Sequence, residues 1–292
     1  MTILPSVMPD EFVLGYWGRI HALNLYSSPN QTLEALIENF ALPPTRIQRV
    51  EALALAAQTS TQRFVQKHTL IPALAAISQH FEGAPHGAAS SPATIKKSWR
   101  RLQQPGAYFC PECSAAQKSQ WGFSYWMRRH QLLGVDWCLH HGTPLIASDE
   151  HAFVRETPHF HESQPPSQRI EQGQSYWPIL ERYSQIMTAY LNTTRRIGVY
   201  DASKPLRPIA AARNINIRGE CAPQYLSDVA MAQLPGWWLE KLFPSIAHKQ
   251  ANTPFPPLDN TVLSGFAMPH AYALAMALLY ESSEEALAGM PH

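Results

Sequence analysis

Two short stretches constrain this chain more than anything else in it. Cys110-Pro-Glu-Cys113 is followed, after a spacer of 24 residues, by Cys138-Leu-His-His141, which reads C-x2-C then C-x2-H. A two-residue gap lets one tight turn aim both side chains at a single ion. Two such knuckles facing each other complete a tetrahedral shell of three thiolates and one imidazole, the donor set of a structural zinc site. The spacing therefore predicts one Zn2+ held by Cys110, Cys113, Cys138 and His141, with His141 preferred over His140 because C-x-H is a cramped reach. Four protein donors leave no open position for water, so the expected role is structural rather than catalytic. A redox-active cysteine pair would need a βαβ setting that the sequence does not suggest, and a set of unrelated buried thiols is the remaining alternative.

The spacer carries Trp121, Phe123, Tyr125, Trp126, Leu132, Leu133, Val135 and Trp137, enough apolar mass for a small core around the metal. His130 reads as a residue supporting the site or lying at the surface, and Cys221, remote from the other three cysteines, as a buried thiol. His151, His159 and His161 form a loose cluster that reads as solvated.

Outside this window the dominant period is helical. Ser28-Pro29-Asn30-Gln31 is an N-cap serine with proline at the first helical position, followed by Leu33, Leu36, Ile37 and Phe40 on one face. Asp10 is expected to cap a preceding helix and Thr45 a following one, and Pro72 to open a further short one. Tyr176, Leu180, Tyr183, Met187, Tyr190 and Leu191 mark a longer amphipathic helix. Val262 to Leu287 reads as an apolar helical stretch interrupted at Pro269, and no period-2 strand pattern stands out. The expectation is a mainly α, multi-helix protein with an inserted small zinc-binding lobe of knuckle or ribbon type and two helical subdomains. Its boundaries fall at 1–95 for the N-terminal helical part, 96–147 for the zinc lobe, 148–174 for a linker rich in Pro, His, Ser and Gln, and 175–292 for the C-terminal helical domain, with a helix-turn-helix candidate at 223–243.

Charge narrows the functional classes. Among 292 residues, 23 Lys plus Arg face 22 Asp plus Glu, a net charge of +1, so no bulk electrostatic drive toward nucleic acid exists and any contact is local. The local basic candidates for nucleic-acid or partner contact are Lys96, Lys97, Arg100, Arg101, Arg128, Arg129, Arg195 and Arg196. A phosphate-binding P-loop and an H-E-x-x-H motif are both missing from the sequence, and nothing pairs a nucleophile with an obvious base, so a non-enzyme is expected. The opening residues lack a basic segment followed by a long apolar core, which points to a cytoplasmic protein without a membrane partner.

The wording of the cysteine window adds a resemblance. Tyr108-Phe109-Cys110-Pro111-Glu112-Cys113, Arg129-His130-Gln131-Leu132-Leu133-Gly134-Val135 and Cys138-Leu139-His140-His141-Gly142-Thr143-Pro144-Leu145 are similar to the TniQ/TnsD family of transposon target-selection proteins. The opening Pro9-Asp10-Glu11 and Gly15-Tyr16-Trp17-Gly18-Arg19-Ile20 also resemble that family, as more loosely do Trp238-Leu239 and the segment from Pro257 to Tyr280. The resemblance implies a non-catalytic adaptor, sometimes dimeric, that links a target-recognition complex, here an RNA-guided CRISPR effector, to an AAA+ transposition regulator of the TnsC/TniB kind. The alternative it leaves open is a direct, sequence-specific selector of target DNA using Arg195, Arg196, Arg207, Arg213 and Arg218 with the helix pair at 223–243. Cysteines for one metal site only, together with near-zero net charge, weigh against autonomous DNA recognition.

Overall fold

The computed structural model describes residues 2–45, 47–79, 83–87, 104–165, 173–215, 224–263 and 265–290. Lys96, Lys97, Arg100, Arg101, Arg218 and Cys221 lie outside them. The described chain is mainly helical and divides into two compact units. Unit 1 comprises residues 1–72, 85–132 and 136–170, and unit 2 residues 73–84, 133–135 and 171–292.

In unit 1, α1 (Val13–Asn24), α2 (Pro29–Asn39), α3 (Gln48–Ala56) and α4 (Thr61–His68) pack in succession. Ser28 caps α2 by accepting from Gln31 N, and Ser60 caps α4 by accepting from Arg63 N. Asp10 does not cap α1. Phe12 occupies the cap position, while Asp10 takes a left-handed conformation with φ 55° and turns its carboxylate to Arg128. Likewise Ile47, not Thr45, precedes α3.

Two strands, β1 (Ala107–Phe109) and β2 (Ile146–Ser148), pair antiparallel with Phe109 opposite Ile146, and α5 (Pro111–Trp121) leaves β1 directly. Trp126 forms the aromatic centre of the unit: its ring meets Phe109 at 5.7 Å and Phe153 at 5.3 Å edge-on, and Phe153 meets Phe12 at 5.2 Å. Phe153 sits on the helical turn Ala152–Arg155, which packs against α1 so closely that a Cβ on Gly18 would lie 2.2 Å from the Phe153 carbonyl oxygen. Only glycine fits there.

The segment expected as a linker, 148–174, therefore starts on the last residue of β2 and carries this turn and the 3-10 turn Pro158–His161, with Ala152, Phe153 and Pro158 buried. Nor is the cysteine window a separate lobe: Phe12 N donates to Trp126 O at 2.8 Å and Arg128 N to Asp10 O at 2.8 Å, so it shares its core with the N-terminal segment. Local sequence pattern carries no trace of pairings between residues more than a hundred positions apart.

Unit 2 is built on α6 (Trp177–Asn192), α7 (Leu206–Ala212), α8 (Leu226–Gln233), α9 (Gly236–Leu242), α10 (Pro256–Leu263), α11 (Pro269–Leu279) and α12 (Ser283–Ala288). Residues Ala271 to Leu279 of α11 are all buried, as a helix apolar on every side requires, and α11 packs along α6. Pro269 opens α11 at its first position, where proline costs no hydrogen bond, so it begins a helix rather than interrupting one. Asp259 ties α8 to α10, accepting from Ser227 N at 2.8 Å, Ser227 Oγ at 2.9 Å and Phe255 N at 2.6 Å. The short parallel pair Ile77–Ser78 with Ile197–Gly198 and the tripeptide Leu133-Gly134-Val135 also belong to this unit. Gly134, at φ +73°, lets its backbone lie between Tyr183, Trp238 and Leu242, where a Cβ would come within 2.9 Å of Leu242. Its carbonyl accepts from Trp238 Nε1 at 3.0 Å, while that of Leu133 accepts from Tyr183 Oη at 2.8 Å.

Candidate metal centre

Cys110 follows β1 and is the N-cap of α5, with Pro111 at the first helical position. Its sulfur accepts from Cys113 N at 3.5 Å, the bond a serine or aspartate cap would make, and the first turn of α5 brings Cys113 alongside it. The second knuckle is a tight turn. Gly142 N donates to Cys138 O at 2.7 Å, Cys138 N to Thr143 O at 2.8 Å, and Gly142 takes φ 69° to close it.

These two turns converge. His141 Nδ1 lies 3.3 Å from Cys110 Sγ, 3.4 Å from Cys113 Sγ and 3.6 Å from Cys138 Sγ, and Cys113 Sγ lies 3.7 Å from Cys138 Sγ. All four donor atoms fall within 4.8 Å of one another, a group that could hold a metal ion. The three cysteines are unbonded thiols buried in a cluster with Met8, Tyr108, Tyr125, Met127 and Leu145, and His141 is half-buried. Met8 joining this cluster shows again that the N-terminal segment helps to build the site.

Electrostatics favours a cation here. Hydrogen bonds from neighbouring thiols hold the Cys110 sulfur far below the ordinary thiol range, while Cys113 and Cys138 are pushed up, chiefly by that same shared bonding with Cys110. Three sulfurs this close cannot all be thiolates unless a positive ion is placed among them. The donor set, its burial and its spacing all fit a metal. Thr143 Oγ1, 3.3 Å from Cys110 Sγ, is a neighbour of the site that sequence spacing did not single out; its place inside the H-G-T-P turn was the available signal.

The other expected site residues scatter. His140 is exposed, stacked edge-on against the His141 ring at 4.5 Å. His130 is buried rather than at the surface, with neither ring nitrogen hydrogen-bonded, and burial pushes its pKa down to about 4. Arg128 is buried rather than presented at the surface: its guanidinium bonds Asp10 Oδ1 at 3.1 Å and the carbonyls of Gln66 at 2.5 Å and Thr69 at 3.3 Å, and its side chain is only 3% exposed. Arg129 remains partly exposed, 3.7 Å from Asp10 Oδ2. Arg195 is exposed and Arg196 buried. His159 and His161 are not merely solvated, since Nδ1 of each lies within hydrogen-bond distance of a serine hydroxyl, Ser124 at 2.9 Å and Ser148 at 3.1 Å. Trp121, expected in the core, is exposed.

Glu11 and Arg19 acquire a role that the sequence alone did not show. Glu11 is fully buried and accepts two bonds of 2.7 Å from Arg19 and one of 2.8 Å from Met8 N. Arg19 in turn donates to Ser6 O at 2.7 Å and lies over the Phe123 ring at 4.9 Å. One ion pair thus fixes the N-terminal segment, α1 and the start of the spacer. Among the described residues no helix is long and apolar enough to cross a membrane.

No curated protein matches the chain. A model of the TniQ family matches residues 2–145, a span that holds Glu11, Gly18, Arg19 and all four donors of the cluster. A TniQ domain implies a target-selection role associated with transposition, and the family is a non-catalytic accessory one. The N-terminal part of the chain, residues 2–145, is thus a TniQ domain.

Proposed function

We propose that the protein is a target-selection adaptor of DNA transposition that links a target-recognition complex, an RNA-guided CRISPR effector, to an AAA+ transposition regulator of the TnsC/TniB kind in the cytoplasm. The observation that carries the reading is the position of the four-donor cluster: it lies inside the TniQ domain and is built into that domain's core. The metal is Zn2+, held by Cys110, Cys113, Cys138 and His141. Tetrahedral zinc with bonds of about 2.3 Å to sulfur and 2.0 Å to nitrogen needs S···S edges of about 3.8 Å and S···N edges of about 3.5 Å. The three S···N edges here run from 3.3 to 3.6 Å and the Cys113–Cys138 edge is 3.7 Å, with all four donors within 4.8 Å of one another. With four protein donors the shell is closed, so the ion's work is to fold the domain.

Exposed apolar side chains supply docking area for protein partners: Leu23, Leu25 and Phe160 in unit 1, and Trp237 and Met231 in unit 2. Direct reading of DNA by the pair α8 and α9 has less support. Trp238, Leu239 and Leu242 of α9 are buried, its exposed positions hold Gly236, Trp237 and Glu240, and its one cation is the half-buried Lys241. Of the arginines assigned to that role, Arg213 is engaged by Glu281 and the Leu278 carbonyl, and Arg196 is buried.

The test is a pull-down of the purified, zinc-loaded protein against its neighbouring transposition ATPase and effector complex, beside a DNA-binding arm at two salt concentrations. Stable association with effector and ATPase, with only weak, sequence-blind DNA binding, is expected. A specific DNA footprint in the absence of the effector would make the protein a direct site selector instead.

A further inference from the structure

The two turns that carry the metal donors also meet through a side chain that is not a donor. Residues 136–145 form a tight hairpin within unit 1. Leu145 N donates to Asp136 O at 2.8 Å, Cys138 N to Thr143 O at 2.8 Å and Gly142 N to Cys138 O at 2.7 Å, while Trp137 and Pro144 pair antiparallel. Pro144 confines the residue before it to extended backbone, so Thr143 has little freedom of its own. From that fixed position its Oγ1 comes within 3.3 Å of Cys110 Sγ, the sulfur that caps α5 33 residues earlier.

This contact differs in kind from the others across the site. Those among Cys110, Cys113, Cys138 and His141, at 3.3 to 3.7 Å, each need a thiol or imidazole proton, or a free lone pair. Ligation takes away the thiol protons and occupies the imidazole lone pair, so those bonds are given up when an ion is bound. The threonine proton stays. A thiolate accepts and cannot donate, which makes the hydroxyl the donor, and its bond to a charged sulfur is stronger than its bond to a neutral thiol. The contact therefore stabilises the loaded site more than the metal-free one, and only such a difference raises affinity. Cys110 Sγ also accepts from Cys113 N at 3.5 Å, so its two donors come one from each turn and hold its direction between them.

We infer that Thr143 is a positioning residue of the metal centre: its hydroxyl donates to the Cys110 sulfur, ties the hairpin of Cys138 and His141 to the first turn of α5, and tightens the hold on the ion. The inference rests on the reading of Cys110, Cys113, Cys138 and His141 as zinc ligands, and adds to it a residue that acts through one of them.

The experiment starts from the zinc-loaded, full-length protein, withdraws the metal with increasing chromophoric chelator to obtain the affinity, and repeats on a sample exchanged to Co2+ to record the sulfur-to-cobalt charge-transfer band. Thr143→Val keeps the shape and removes the hydroxyl. It is expected to bind Zn2+ about tenfold more weakly, the scale on which loss of a partner to a metal ligand acts. Its cobalt band should move to longer wavelength, because a sulfur that has lost a hydrogen bond releases electron density more readily. Thr143→Ser keeps the hydroxyl and loses the methyl, and should retain both the affinity and the band of the wild type. Circular dichroism of the zinc-loaded proteins verifies the fold, and should the valine variant not fold, the serine variant decides. Wild-type affinity and band in Thr143→Val, or loss of both in Thr143→Ser, overturns the role of the hydroxyl. A wild-type protein without a charge-transfer band overturns the ligand assignment itself and this inference with it, so the two failures read differently.

Discussion

The two units reach stability by different routes. Unit 2 is organised around α11, whose residues from Ala271 to Leu279 are buried among aliphatic and aromatic neighbours, with Asp259 as a local polar joint. Unit 1 depends on a few polar or sulfur-based clamps: the cluster of Cys110, Cys113, Cys138 and His141, the Glu11–Arg19 pair, and Arg128 with Asp10. Apolar packing is non-directional and tolerates exchange of one hydrophobic shape for a similar one. A buried charge or a metal ligand has no substitute, because removing one member strands the rest in a medium that cannot solvate them. Unit 1 should accordingly fail abruptly at a few positions and unit 2 gradually at many.

The largest effect expected is loss of the metal. Chelation or Cys113→Ser should cost unit 1 several kcal/mol, the scale on which structural zinc sites drive folding. Hydrogen exchange should then speed up across α1, α5 and β1 while the amides of α11 stay protected. Unchanged protection of α5 in the Cys113→Ser protein, with metal still bound, would refute the ligand assignment.

Next is Arg19→Ala, which leaves the fully buried Glu11 without its counter-ion and should destabilise the protein by about 3–5 kcal/mol in denaturant titration. Adding Glu11→Gln to it should restore a measurable part of that loss. In unit 2, Leu274→Ala should cost about 2–5 kcal/mol, whereas the volume-conserving Leu274→Met costs under about 1.5. If Glu11→Asp is tolerated as well as Leu274→Met, the contrast between the units is wrong.

A smaller, pH-dependent effect comes from His68, whose pKa burial pushes down to about 4 while its Nδ1 lies 3.0 Å from the Glu11 carbonyl. The folded value is depressed below that of a free histidine near 6.5. Stability from this residue is therefore present above about pH 6.5 and lost as pH falls toward 4, by at most about 3 kcal/mol. His68→Gln should flatten that part of the acid limb, read as the unfolding midpoint at pH 7 and pH 5. Asp259 has the opposite sign: burial raises its pKa, so its contribution is full below the ordinary carboxylate range and declines as pH rises through the raised value. Smallest of all, Ser282→Ala removes the cap bond to Glu285 N at the start of α12 and should cost about 1 kcal/mol.

The same division explains what the sequence revealed. Helix α6 was legible because its stripe from Tyr176 to Leu191 repeats every three or four residues, and α2 because Ser28-Pro29 announces its start. The four-donor cluster was legible because a metal imposes its own spacing on the chain. The strands were not, since two or three residues are too few to show alternation. Asp10 misled because its partner, Arg128, lies 118 residues away, and a local rule for helix caps sees only neighbours. Arg128 itself looked like a surface cation for the same reason. Glu11 and Arg19 stood out as part of a resemblance, yet their pairing emerges only once the turn before α1 folds the chain back on itself.

The path of the chain also bears on inheritance. Residues 73–84 and 133–135 belong to unit 2, although they are encoded inside the stretch that spells TniQ, while β2 and Phe153 of unit 1 begin where that stretch ends at residue 145. A recombination event that cut the gene cleanly at codon 145 would leave each half missing pieces that the other still carries. The stretch that spells TniQ is thus not a self-contained folding piece, since residues 73–84 and 133–135 of it fold into unit 2 and unit 1 draws on chain beyond residue 145.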